Sequence, residues 1–116
     1  MSRSDTDRLE DIVSAITSIR SHLQHGPISV EIVIDAVAMR LLEIGEAVKG
    51  ISPELTATEP DIQWSDIAGM RDFLAHHYFA TNPEIIQLTI DKRLTPLAEA
   101  IARMRGKIEV PESSEA

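Results

Sequence analysis

From Leu9 to Leu23 the apolar residues Leu9, Ile12, Val13, Ile16, Ile19 and Leu23 recur at steps of three and four. Wound as an α-helix, a segment with that spacing shows one apolar stripe; drawn out as a strand it shows none, so the spacing commits it to a helix packed along one side. Ser4 and Asp5 are good N-caps for this helix, and Gly26-Pro27 ends it. The same period continues through most of the chain, with no internal repeat and no strand pair, and it predicts an all-α bundle of four to five helices.

A second helix opens at Ser29 and reaches Lys49 or Gly50. Its first half, VEIVIDAVAMRLLEI, is apolar on more than one side, which suits a central helix with neighbours on several faces. The stretch ISPELTATEPDIQ carries Pro53 and Pro60 with little periodicity and reads as a connection. Ser65 then caps a third helix that extends to about Tyr78, with Asp66 in its first turn. Asn82-Pro83 and Thr95-Pro96 each pair an N-cap residue with proline at the first helical position, so the last third is either two helices or one helix kinked at Pro96. After Gly106 the acidic KIEVPESSEA reads as a frayed tail, leaving a single domain over 1–116 with a core at about 5–106.

A chain of 116 residues buries roughly two thirds of the surface that its unfolded form exposes, enough to fold without staples. Cysteine is absent, so nothing rests on thiol or zinc-thiolate chemistry, and a reducing compartment such as the cytoplasm is compatible. MSRSDTDRLEDIV lacks the apolar run of a secretion signal, and no stretch approaches the ~20 apolar residues of a membrane span. The expectation is a soluble cytoplasmic protein with no membrane contact. A net charge of −8 argues against a protein that simply coats nucleic acid. Locally the balance reverses, because Lys92, Arg93, Arg103, Arg105 and Lys107 face Glu99 alone and form a basic strip on an acidic body.

The segment RDFLAHHYF, residues 71–79, gathers an arginine, an aspartate, two histidines and a tyrosine. On a helical wheel, Ile67, Met70, Arg71, Phe73, Leu74, His77 and Tyr78 share the core-facing arc, while Gly69, Asp72 and His76 form a stripe on the opposite side. His77 therefore reads as a packing residue, whereas His76 points away from its own core. Asp72, four residues before His76, is close enough for its carboxylate to hold a ring nitrogen. His76 is equally well read as a solvated residue at the negative end of a helix. Gly69 on the same stripe would let another backbone or a ligand approach closely. The four aromatics, Trp64, Phe73, Tyr78 and Phe79, all fall within this part of the chain.

Other chemistries lack their residues. No Glu-x-x-His pair is present for a di-iron site, and His22 with His25 is too small a ligand set, so no metal is expected. GMRDF and GEAVKG lack the strand and spacing of a phosphate loop, and no nucleophile elbow occurs.

Arg71-Asp72-x-x-x-His76-x-Tyr78 resembles the R-x-x-x-x-H-x-Y motif of the HepT-like toxins, a branch of the all-helical HEPN ribonucleases. MRLLEIGEAVKGIS (39–52) is similar to that family's second-helix segment, IQWSDIAGMRDFLAHHYF (62–79) to the approach to its motif, and the likeness covers roughly residues 5–106. The resemblance implies a homodimeric HEPN-type bundle that cleaves RNA without a metal ion or other cofactor. It implies Arg71 and His76 as the catalytic pair, and Asp72 beside them at a position where relatives carry a polar residue, often asparagine. It further implies a toxin of a type II or type VII toxin–antitoxin system, neutralised by a minimal nucleotidyltransferase antitoxin that transfers AMP to Tyr78. On an ideal helix Arg71 and His76 stand about 140° and about 7.5 Å apart, so their convergence requires a long side chain, a loosened turn or a second subunit. The alternative is a catalytically inactive helical dimer that binds a nucleotide or a protein partner.

Overall fold

The computed structural model describes residues 3–76 and 83–115. Among them five helices follow one another without a strand: α1 (Arg3–Leu23), α2 (Glu31–Lys49), α3 (Pro53–Thr56), α4 (Trp64–His76) and α5 (Pro83–Glu115). The all-α expectation is borne out. Leu9, Ile12, Ile16 and Ile19 of the α1 stripe are buried, and Gly26, at a φ of 150° that strains any residue with a side chain, helps to end that helix.

Helix α2 is the central element. Val33, Ile34, Val37, Ala38, Leu41, Ile44, Ala47 and Val48 are all buried, because α1 packs on one side of α2 and α4 on another. Truncating a buried leucine or isoleucine of this kind costs about 2–5 kcal/mol, so the placement of α4 depends on α2. Asp5, in the first turn of α1, accepts hydrogen bonds from Ser52 N at 2.8 Å and Ser52 Oγ at 2.7 Å, just beyond the C-terminus of α2. The two helices therefore run antiparallel.

Several boundaries differ from the sequence reading: α1 opens at Arg3, which puts Ser4 and Asp5 in its first turn rather than at its N-cap, and α2 opens at Glu31 rather than Ser29. The proline-rich connection contains the one-turn helix α3, with Ser52 at its N-cap, Pro53 in its first turn, and Asp5 holding the cap from across the bundle. Helix α4 begins at Trp64, whose indole Nε1 donates to the carbonyls of Thr56 (3.1 Å) and Glu59 (3.0 Å) and ties the helix to the connection; Ser65 lies inside the first turn. Helix α5 spans both halves of the last third, passing Pro96 and continuing through Gly106 to Glu115. Pro96 and its neighbour Thr95 are exposed, so water can satisfy the carbonyl that the missing proline N–H leaves free. No helix among the described residues is long and apolar enough to cross a membrane.

Candidate active site

Ile67 and Leu74, both buried, fasten α4 to the core, and the helical period then fixes what its other faces present. Arg71 is half-buried at the edge of the α2–α4 contact, while Asp72, His76 and Gly69 are exposed, as the wheel required. Among the described residues the close approach to a glycine of this region occurs at Gly45 on α2. A Cβ on Gly45 would stand 2.9 Å from both Cβ and N of Arg71 and 3.1 Å from the Ile67 carbonyl oxygen, whereas one on Gly69 meets nothing within 4 Å among the described residues. Gly45 thus sets the distance between α2 and the backbone that carries Arg71.

The next residue of α2 takes hold of the arginine. Arg71 Nε lies 2.9 Å from Glu46 Oε2, and Arg71 Nη1 donates to Asp72 Oδ1 at 3.2 Å. Lys49 Nζ lies 3.7 Å from the same Asp72 oxygen. The hydrogen bond to Asp72, then the charge of Glu46, raise the Arg71 pKa above its ordinary value. The Asp72 carboxyl is held below its usual range, first by the Arg71 hydrogen bond and next by the Lys49 charge.

His76 is held differently from expectation. Its Nδ1 lies 2.8 Å from the Asp72 backbone carbonyl, not from the carboxylate. A carbonyl oxygen can only accept, so Nδ1 carries the proton in this contact and Nε2 is the nitrogen left for exchange. Asp72 therefore joins the two motif side chains, Arg71 through its carboxylate and His76 through its backbone. His77 and Tyr78 lie outside the described residues.

The sequence assigns no role to Glu46 or Lys49. Three residues apart on one helix, they read as an ordinary intrahelical pair, yet each engages α4 instead. A cleft of about 450 Å³ between α1 and α2, bordered by Arg8, Asp11, Arg40, Glu43 and Glu46, opens beside this cluster through Glu46. The basic strip of α5 is largely neutralised within the fold: Arg93 pairs with Asp66, Arg103 and Lys107 with Glu59, and Arg105 with Glu10. Among the described residues no group of three or more histidine or acidic side chains gathers as a metal site would.

A family model described as ribonuclease HepT-like matches residues 7–104. The chain belongs to the HepT-like ribonuclease family. This HepT-like chain is 34% identical over 114 residues to a probable ribonuclease HepT of Thermococcus cleftensis, across 94% of this chain and 96% of the relative. A protein of Caldanaerobacter subterraneus subsp. tengcongensis, named as a candidate RNase, is 40% identical over 76 residues, 65% of this chain and 68% of its own. A Methanocaldococcus jannaschii protein, also named as a candidate RNase, is 45% identical over 78 residues, 64% of each chain. No solved structure gives a significant match to the HepT-like chain.

Proposed function

We propose that this HepT-like chain is a metal-independent endoribonuclease with Arg71 and His76 as its catalytic pair, and that a second copy of the chain completes the active site. The observation that carries this reading is the meeting of both side chains on Asp72, at 3.2 Å for Arg71 Nη1 and 2.8 Å for His76 Nδ1. RNA cleavage of this type needs a base for the 2′-hydroxyl proton, an acid for the departing 5′ oxygen, and a cation for the charge on the pentavalent phosphorus. Arg71 supplies the cation, since a guanidinium fork matches two phosphate oxygens. His76 Nε2, the ring nitrogen not engaged by the Asp72 carbonyl, takes one proton-transfer role, and the same histidine of a second copy provides the opposite one. Asp72 orients both. Exposed apolar residues support a homodimer: Ile32 and Met39 lie seven residues apart on one side of α2, and Ile85 and Leu88 lie three apart on α5, with Ile32 76% and Leu88 58% exposed.

In the fuller form of this reading the enzyme is the cytoplasmic toxin of a toxin–antitoxin pair. A minimal nucleotidyltransferase antitoxin transfers AMP from ATP to the Tyr78 hydroxyl, two residues beyond His76, with pyrophosphate leaving, and the added bulk and negative charge repel the RNA backbone. Mass spectrometry after co-expression with such an antitoxin tests this, with AMP expected on the wild type and lost in Tyr78→Phe.

The central test is RNA cleavage in EDTA. His76→Ala is expected to cut about 10²- to 10⁴-fold more slowly than the wild type. Equal rates would remove His76 from the mechanism. One observation favours a second reading, an inactive helical dimer that binds a nucleotide or protein: two carboxylates, Glu46 and Asp72, already occupy Arg71. That reading expects no cleavage by the wild type and normal growth of cells that express the chain alone.

A further inference from the structure

We propose that Lys49 of α2 is a second phosphate-binding cation of this site, and that the Asp72 carboxylate is a resident anion which the RNA backbone displaces from between Lys49 and Arg71. The inference rests on the ribonuclease reading and deepens it by assigning a substrate contact to α2.

The geometry is that of an anion held by two cations from two helices. Asp72 Oδ1 stands 3.2 Å from Arg71 Nη1 and 3.7 Å from Lys49 Nζ, and both bridges reach the same oxygen. Carboxylate and phosphate oxygens ask for the same donors, so a locus that holds one at these distances suits the other. All three side chains are accessible, with 45% of the Lys49 side chain, 37% of Arg71 and 58% of Asp72 exposed, so exchange requires no opening of the core. Lys49 has no stronger claim on it from its own helix, because Glu46, one turn earlier, is turned to Arg71. The Gly45 contact keeps Lys49 and Arg71 in register, since it fixes α2 against the α4 backbone at Arg71 itself. Charge also argues for displacement: Arg71 and Lys49 are balanced by Glu46 and Asp72, so the patch attracts a phosphate fully once Asp72 is moved aside or neutralised.

The test uses a fluorescent single-stranded 2′-O-methyl RNA oligonucleotide, which binds but lacks the attacking hydroxyl, with affinity read by anisotropy over a series of salt concentrations. Lys49→Met is expected to bind about tenfold more weakly at low salt, and its log–log salt slope to fall by about 0.7, the value for one phosphate contact on a single strand. Lys49→Arg should retain both, and Lys92→Met, an exposed lysine on α5, should match the wild type. Asp72→Asn keeps the backbone contact to His76 while removing the resident charge, and should bind several-fold more tightly. Thermal melts of each variant show whether the fold is intact. Wild-type affinity and slope in Lys49→Met, or weaker binding by Asp72→Asn, would overturn the proposal and, with cleavage by the wild type intact, would leave the ribonuclease reading standing. Failure of the wild type both to bind and to cleave would overturn the proposal together with the ribonuclease reading.

Discussion

Arg71 is the residue in which fold and proposed chemistry meet, and its guanidinium shape matters as much as its charge. Nε faces Glu46 while Nη1 reaches Asp72, so two sides of one planar group are used at once. A lysine carries the charge but cannot hold both carboxylates and still offer a fork to phosphate. Arg71→Lys is therefore expected to fold normally and to lower RNA cleavage about 100-fold, the scale on which loss of one oriented donor is felt. Cleavage rates and a thermal melt measured side by side check both halves. Helical spacing puts Asp72 and His76 on one face of the helix and Arg71 on the other, and it is the resemblance to the HepT-like motif that groups the three. The sequence could not show that the Asp72 backbone rather than its carboxylate holds His76, since either contact is compatible with a four-residue separation.

The two glycines near the site show what periodicity conveys about an element and what it leaves out. A wheel says that Gly69 shares a face with Asp72 and His76, but not whether any helix passes over that face. Proximity between elements is a property of the packed bundle, and there the tight contact belongs to Gly45, beneath Arg71. Substitution should separate the two positions by sign. Gly45→Ala forces a methyl group against backbone atoms that cannot swing away, and should cost about 1–3 kcal/mol and displace Arg71. Gly69→Ala has open space among the described residues and should gain about 1 kcal/mol from helix propensity. Denaturant titration of both variants checks the contrast, and destabilisation by Gly69→Ala would mean that something packs on that face. The boundaries of α3 and α5 were hidden for a related reason: Asp5 caps α3 from the far end of the sequence, and Pro96 is tolerated because its side of α5 faces water.

Across the whole molecule, the cations that look like a basic strip in the sequence act largely as fastenings. Arg93 joins α5 to α4, Arg105 joins it to α1, and Arg103 with Lys107 joins it to the connection that carries Glu59. Glu59 is the most consequential of these anchors, because its side chain is buried while Arg103 donates to it at 2.7 Å through Nη2 and at 3.1 Å through Nε, and Lys107 adds a bond at 3.3 Å. The Arg103 hydrogen bond is the largest influence on Glu59 and, with Lys107, outweighs the opposing effect of burial, so its pKa falls below the usual glutamate range. A carboxyl whose folded pKa is depressed stabilises the protein at pH values above its unfolded pKa and loses that contribution as pH falls through the folded one. Glu59→Gln should therefore melt several degrees below the wild type at pH 7, about 4 °C for each kcal/mol lost in a domain of this size. The gap should close as the pH is lowered through and below the ordinary glutamate range, where the wild-type carboxyl is itself protonated. Melting curves of both proteins from neutral to acidic pH decide the matter: a gap that stays constant would show that the charge of Glu59 does not help to hold α5 to the bundle.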